Sequence, residues 1–128
     1  KQIAEKDHLF IDKEKILSLN PDIIIIDGGG LALVKQDYPK NKGFYKGLKA
    51  FQNGNVYIIH PFNYYVTNIG TAIADAYAVG KILYPDRFAD IDLSKKADEI
   101  FVYLLGRPVY NQMKQDFGDL GMKANFDQ

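Results

Sequence analysis

The sequence predicts an α/β fold: a mostly parallel sheet flanked by helices, part of a three-layer sandwich. Three observations carry that reading. Ile23 to Ile26 is an unbroken β-branched run, apolar on both faces, which suits a strand covered on both sides. Val56-Tyr57-Ile58-Ile59 repeats the pattern after helical sequence, and strands that alternate with helices imply parallel pairing. Between residues 69 and 83, apolar residues recur at three-four spacing, as on one stripe of a helix. Two strong strands are few for an independent three-layer domain, so the chain is expected to be a fragment of a larger one.

Lys1 to Leu9 is charged and without period, a short helix or a cut end; the chain opens without methionine, and an upstream segment is expected. Asp12 is a fitting N-cap for a helix over Lys13 to Leu19, whose apolar side is Ile16, Leu17 and Leu19. Asn20-Pro21-Asp22 is a turn, because proline fixes φ, lacks an N–H and pushes the preceding residue out of helical geometry. The isoleucine strand then ends in Asp27 and three glycines, where backbone turns sharply and a ligand can approach closely. Leu31 to Val34 opens a helix, Gln36 to Gly43 reads as a polar loop broken by Pro39, and Phe44 to Phe51 as a short helix. Gln52 to Asn55 is a turn in which Asn53-Gly54 supplies left-handed conformations.

After the second strand, His60 to Asn68 is a loop dense in aromatic side chains. The helix over Ile69 to Leu83 is expected to bury Ile69, Ala72, Ile73, Ala76, Tyr77, Gly80 and Leu83, and Tyr84-Pro85-Asp86 stops it. A linker over Arg87 to Leu93 leads to Ser94 as N-cap of a helix over Lys95 to Leu105. Its inner face is Ala97, Ile100, Phe101, Leu104 and Leu105, and Gly106 is its C-cap. Val109 to Phe117 is a weaker helix, and the tail over residues 118–128 reads as loose. The organisation is therefore a core over residues 12–92, a helical extension over 94–117 and that tail.

Composition excludes several function classes. Sixteen basic residues offset sixteen acidic ones over 128 residues, so the chain carries no electrostatic footprint for nucleic acid or an anionic membrane. Zero cysteines exclude a disulfide scaffold, a cysteine zinc site and a cysteine nucleophile. No apolar run is long enough to span a bilayer. Asp27-Gly28-Gly29-Gly30 has neither dinucleotide-fingerprint spacing nor the Lys-Ser/Thr pair of a phosphate loop, and a plain tight turn is the simpler reading. No nucleophile–base pair or acid–base pair can be placed, so no catalytic residue, resident cofactor or resident metal is assigned, and the chain reads as a non-enzyme. His8 reads as surface. His60, at a strand end beside tyrosines, either touches a ligand or bonds to backbone within its loop.

The aromatic loop is the stronger lead among nine tyrosines and eight phenylalanines. Phe62, Tyr64 and Tyr65 offer flat apolar faces with hydroxyl tips, while Asn63 and Asn68 add fixed donors and acceptors. Concave sites for organic ligands are built from such apolar walls with a few placed polar groups. In a parallel sheet the loops at the carboxyl ends of the strands are the ligand side. Gly28, Gly29, Gly30, His60, Phe62, Asn63, Tyr64, Tyr65 and Asn68 are therefore the candidate ligand-binding residues.

The order of these parts also resembles a known family. Asp12-Lys-Glu-Lys-Ile-Leu-Ser-Leu-Asn-Pro-Asp-Ile-Ile-Ile-Ile26, Leu48-Lys-Ala-Phe-Gln-Asn-Gly-Asn-Val-Tyr57 and Gly80-Lys-Ile-Leu-Tyr-Pro-Asp86 together are similar to the C-terminal lobe of periplasmic substrate-binding proteins. These serve ABC importers of iron-siderophore, haem and cobalamin, and the likeness runs over about Asp12 to Asp92. The resemblance implies two α/β lobes closing on a cargo, with the first strand and helix of this lobe and the whole N-terminal lobe lying outside this chain. It implies an extracytoplasmic protein, free in the periplasm or lipid-anchored, whose partners are an ABC permease and an iron or corrinoid cargo. It assigns Glu14 to permease docking, where the residues alone read a solvated helix glutamate. The cleft loops it implies are Gly28 to Leu31 and His60 to Asn68. A flavodoxin-like enzyme domain holding a phosphate-bearing ligand on the glycine loop is the alternative, and an interaction domain using the aromatic loop is a third reading.

Overall fold

Asp12 starts the first helix as its side chain dictates, its Oδ1 accepting the Lys15 amide at 2.7 Å. The computed structural model describes residues 11–63 and 65–126. The expectations for Lys1 to Leu9, for His8 and for Tyr64 lie outside these residues. Helix α1 (Lys13–Leu19) ends at Asn20, which turns left-handed (φ 40°, ψ 62°) ahead of Pro21 and donates its amide to Ile16 O. The Asn20 Oδ1 also accepts the Lys49 amide, so one turn residue closes α1 and starts α4 (Lys49–Gln52).

The architecture is mixed α/β. Strands β1 (Ile24–Asp27) and β2 (Val56–Ile59) form a parallel two-stranded sheet, with Ile24 opposite Val56 and Asp27 opposite Ile59. Helices lie to either side of it along the chain: α1, α2 (Leu31–Asp37), α3 (Lys42–Lys46), α4, α5 (Ile69–Leu83), α6 (Leu93–Leu105) and α7 (Tyr110–Phe117).

Several expectations change. β1 was expected to be covered on both faces, but its isoleucines are only half-buried, and it pairs on one edge alone among the described residues. Gln36 to Gly43 is not a polar loop. A 3-10 turn over Tyr38–Lys40 buries Tyr38, and Asp37 accepts hydrogen bonds from Lys13 Nζ, Asn41 Nδ2 and the Tyr45 hydroxyl. Those bonds, led by Lys13, hold the Asp37 carboxyl below its usual range, whereas burial, then the hydrogen bond to Asp37, raises the Tyr45 hydroxyl. The helix expected over Phe44 to Phe51 breaks at Leu48, whose backbone is extended (ψ 129°) and whose side chain is 1% exposed. Burying that leucine outweighs helix continuity.

The tail is not loose over its described part. Gly121 N donates to Ile58 O and Ile58 N to Met122 O, both at 2.9 Å, and Ala124 N donates to Val56 O at 2.8 Å. The segment thus runs antiparallel along the far edge of β2 and carries Leu120 into the core. The few residues that follow the turn at Leu120–Gly121 are too short a segment to reveal a period of two.

Helix α6 is capped by Asp92 rather than Ser94. Its Oδ1 accepts the Ser94 and Lys95 amides and the Ser94 hydroxyl, and these bonds hold the carboxyl below its usual range. Gly106 is the left-handed C-cap (φ 75°) that was expected. Ala97 and Phe101 are buried as expected, but Leu104 and Leu105 face outward.

The larger revision concerns α5. Its buried residues are Gly70, Thr71, Ala74, Asp75 and Ala78, whereas Ile69, Ile73 and Leu83 of the expected stripe are exposed. Small side chains decide this. A Cβ on Gly70 would stand 3.0 Å from the Phe101 ring, so α5 and α6 approach more closely than isoleucines would permit. The core that results joins Ala74 and Ala78 to Ala97, Phe101, Tyr110 and Leu120. A second, aromatic cluster of Tyr38, Tyr45, Phe51 and Phe126, with ring centroids 5.0–6.2 Å apart, packs away from that core.

Candidate ligand-binding site

Both strands end on the same side of the sheet, and there the two loops singled out in the sequence meet. Asp27 Oδ1 accepts the Gly29 amide at 2.7 Å and folds Gly28–Gly30 into a 3-10 turn that leads directly into α2. The first glycine is needed sterically: a Cβ on Gly28 would lie 2.9 Å from the Ile59 carbonyl oxygen and 3.2 Å from Pro61 Cδ. Gly29 also faces Pro61, at 3.5 Å from an added Cβ, whereas Gly30 faces open space. The glycine turn and the start of the aromatic loop are thus packed together, although about thirty residues separate them in sequence.

The loop is fixed at both ends. At its start, the His60 amide donates to Asp75 Oδ1 at 3.0 Å. At its finish, Asn68 donates its amide to Phe62 O at 2.7 Å, and its Oδ1 accepts the Thr71 amide to cap α5. Asn63 and Thr67 face each other in an antiparallel bridge. Just before Thr67, Tyr65 is 89% and Val66 78% exposed. Phe62 is half-buried, and Asn63 and Asn68 lie at the surface.

His60 does not reach this surface. Its side chain is buried, Nε2 pairs with the Gly118 carbonyl oxygen at 2.9 Å, and the ring lies against Tyr110 and Phe117. Burial holds the imidazole below its usual value, opposed by the Gly118 carbonyl and Asp119. Of the two readings open for this histidine, the geometry is that of a residue bonded to backbone, as an anchor for the tail. Glu14 is solvent-exposed in the first turn of α1, remote in sequence from both loops.

Sequence reading missed two features here. The first is a shallow apolar groove of about 520 Å³ that continues from the loop along the outer face of α5. Thr67, Ile69, Ile73, Ala76, Tyr77 and Phe88 line it, and most of them had been assigned to the core. The second is the pair Thr71 and Asp75, one helical turn apart on the buried face. Asp75 Oδ2 and Thr71 Oγ1 are both buried without a hydrogen-bond partner among the described residues. Burial pushes the Asp75 carboxyl up to about 7, with the His60 amide opposing and the charge of Asp27 reinforcing the rise. Thr71 and Asp75 share one face of α5 at i, i+4, on the side of the helix the apolar stripe did not include.

Among the described residues no group of three or more His, Asp or Glu side chains is placed to hold a metal ion. None of the described helices is long and apolar enough to cross a membrane. No family model matches the chain, and no curated protein matches it.

Proposed function

We propose that this chain is the C-terminal lobe of a substrate-binding protein that captures an iron complex, haem or cobalamin outside the cytoplasm and delivers it to an ABC permease. The observation that carries the reading is the meeting of the glycine turn and the aromatic loop at the carboxyl ends of the parallel strands. In that loop Tyr65 stands 89% exposed, two residues before Thr67, where a shallow apolar groove begins. An exposed tyrosine on a loop pinned at both ends is a flat, preorganised wall for a large ligand. The outward apolar face of α5 and the half-buried β1 fit a lobe completed by a second one.

The phosphate-binding alternative draws less support. The space above Gly28 is filled by Ile59 and Pro61, so that glycine serves packing within the protein. The reading assigns the chain binding and delivery, with no covalent step.

Tyrosine fluorescence tests it, since the chain has no tryptophan. The protein that carries this chain is titrated with ferric siderophores, haem and cobalamin. The expected result is saturable quenching by one class, weakened about tenfold or more by Tyr65→Ala, the loss of roughly one aromatic anchor. No response to any of the three contradicts the reading. Glu14→Arg is expected to leave affinity unchanged while abolishing uptake by the permease; unchanged uptake removes the docking role from Glu14.

A further inference from the structure

A buried carboxylate with one oxygen satisfied and the other not requires explanation, because an unpaired buried charge is costly. Asp75 is 4% exposed and Thr71 is fully buried. The satisfied oxygen, Oδ1, holds the amide of His60, the first residue after β2, where the chain enters the loop. The next residue, Pro61, packs on the glycine turn. Asp75 therefore fixes where both halves of the candidate site begin.

We propose that Asp75 is a positioning residue for the loop from Pro61 to Asn68, and that the proton on its carboxyl sets how firmly the loop is docked. The proposal deepens the reading of this loop as ligand-facing and rests on it for its functional meaning. The anchor itself is tested with no ligand present.

The charged surroundings define the direction. Asp27, at the end of β1, is the charged group that acts on Asp75, and it is an acid. Just past β2 comes His60, whose ring is engaged with the Gly118 carbonyl and pushed by burial below its usual value, and whose amide is the group bonded to Asp75. Where α6 packs on this face of α5 it contributes Ala97 and Phe101, both apolar. In the neutral acid, Oδ2 is a buried hydroxyl, and leaving it unpaired costs far less than leaving a charge unpaired. In the anion, a buried charge lies within the field of a second acid, Asp27.

Burial pushes the docked carboxyl up to about 7 from its ordinary 3.8. The docked state thus binds the proton more tightly than an opened state does. By linkage, docking is firmest at acid pH and weakens as pH rises towards 7, levelling off above it. For a cargo protein this means a loop held tightly in acid surroundings and loosened in alkaline ones.

Amide hydrogen exchange of the chain, read residue by residue and corrected for intrinsic rates, tests this. His60 protection is expected to fall about tenfold between pH 6 and pH 8, the ratio that follows from linkage with these two values. The Ile58 amide, bonded to Met122 O in the same strand, is expected to hold constant and serves as the control. Asp75→Asn retains an acceptor for His60 and is expected to abolish the pH dependence while keeping protection. Asp27→Asn, which keeps the cap on Gly29, is expected to move the midpoint to lower pH without loss of protection. His60 protection that is flat in the native chain, or that follows the His60 ring titration read from its own carbon resonance, overturns the proposal. Since no cargo enters the experiment, a protein that binds none of the three ligands yet shows the titration would retain the anchor and lose only the functional reading.

Discussion

The two faces of helix α5 differ in a way that hydrophobicity alone does not foretell. The outer face carries the bulk: Ile69 at 63% exposed and Ile73 at 40%, with Tyr77 beside them in the groove. The inner face carries Gly70, Thr71, Ala74, Asp75 and Ala78, and it is the one that is buried. Close packing against β2 and α6 rewards small side chains, and the polar pair on the inner face anchors the next loop rather than adding to burial. A helix apolar on both sides has two surfaces to cover, and only one is covered by the described residues. The unburied one begins where the aromatic loop ends, and with Thr67 and Phe88 it lines a shallow groove rather than the core.

The comparison can be broken by substitution. The largest expected effect is inside: Phe101→Ala removes the ring that packs on Gly70 and should cost about 3–5 kcal/mol. Ile73→Ser on the outer face should cost less than about 1 kcal/mol. Urea denaturation of both variants decides; similar losses would mean that the outer face is also core.

Asp75→Asn comes next, with a sign that depends on pH. The native carboxyl is raised to about 7, so its contribution to stability is greatest below about 4 and is lost as pH climbs to 7. The neutral amide escapes that loss but leaves one donor to satisfy, so the variant should be more stable than the native chain by about 1–3 kcal/mol at pH 8. The advantage should vanish or reverse near pH 4. Thermal melts at the two pH values measure it, and a pH-independent difference would contradict the assignment. The smallest effect belongs to Tyr65→Ala, which should leave stability within about 0.5 kcal/mol while weakening ligand quenching.

Much of this was legible in the sequence because it depended on neighbours in the chain. Asp12 and Gly106 cap helices by local geometry, and the isoleucine run is a strand. What was hidden depended on distant partners. The choice of buried face on α5 is made by Phe101, thirty-one residues after Gly70. The docking of the tail is made by the open edge of β2, and His60 turns inward to the Gly118 carbonyl that the tail supplies. At the site, the residue types of both loops were readable, and so was their place at the strand ends. Asp75 was not, because a buried acid looks in sequence like any polar residue on a helix.

The central claim is that ligand sits at the carboxyl ends of β1 and β2. Amide chemical shifts of the protein that carries this chain test it directly, recorded while haem, cobalamin or a gallium-loaded siderophore is added. The account predicts that the perturbed amides are those of Gly28 to Gly30 and of the loop from Phe62 to Asn68, with the aromatic cluster around Phe51 and Phe126 unmoved. Saturable perturbation centred on that cluster, or none at either loop, would contradict it.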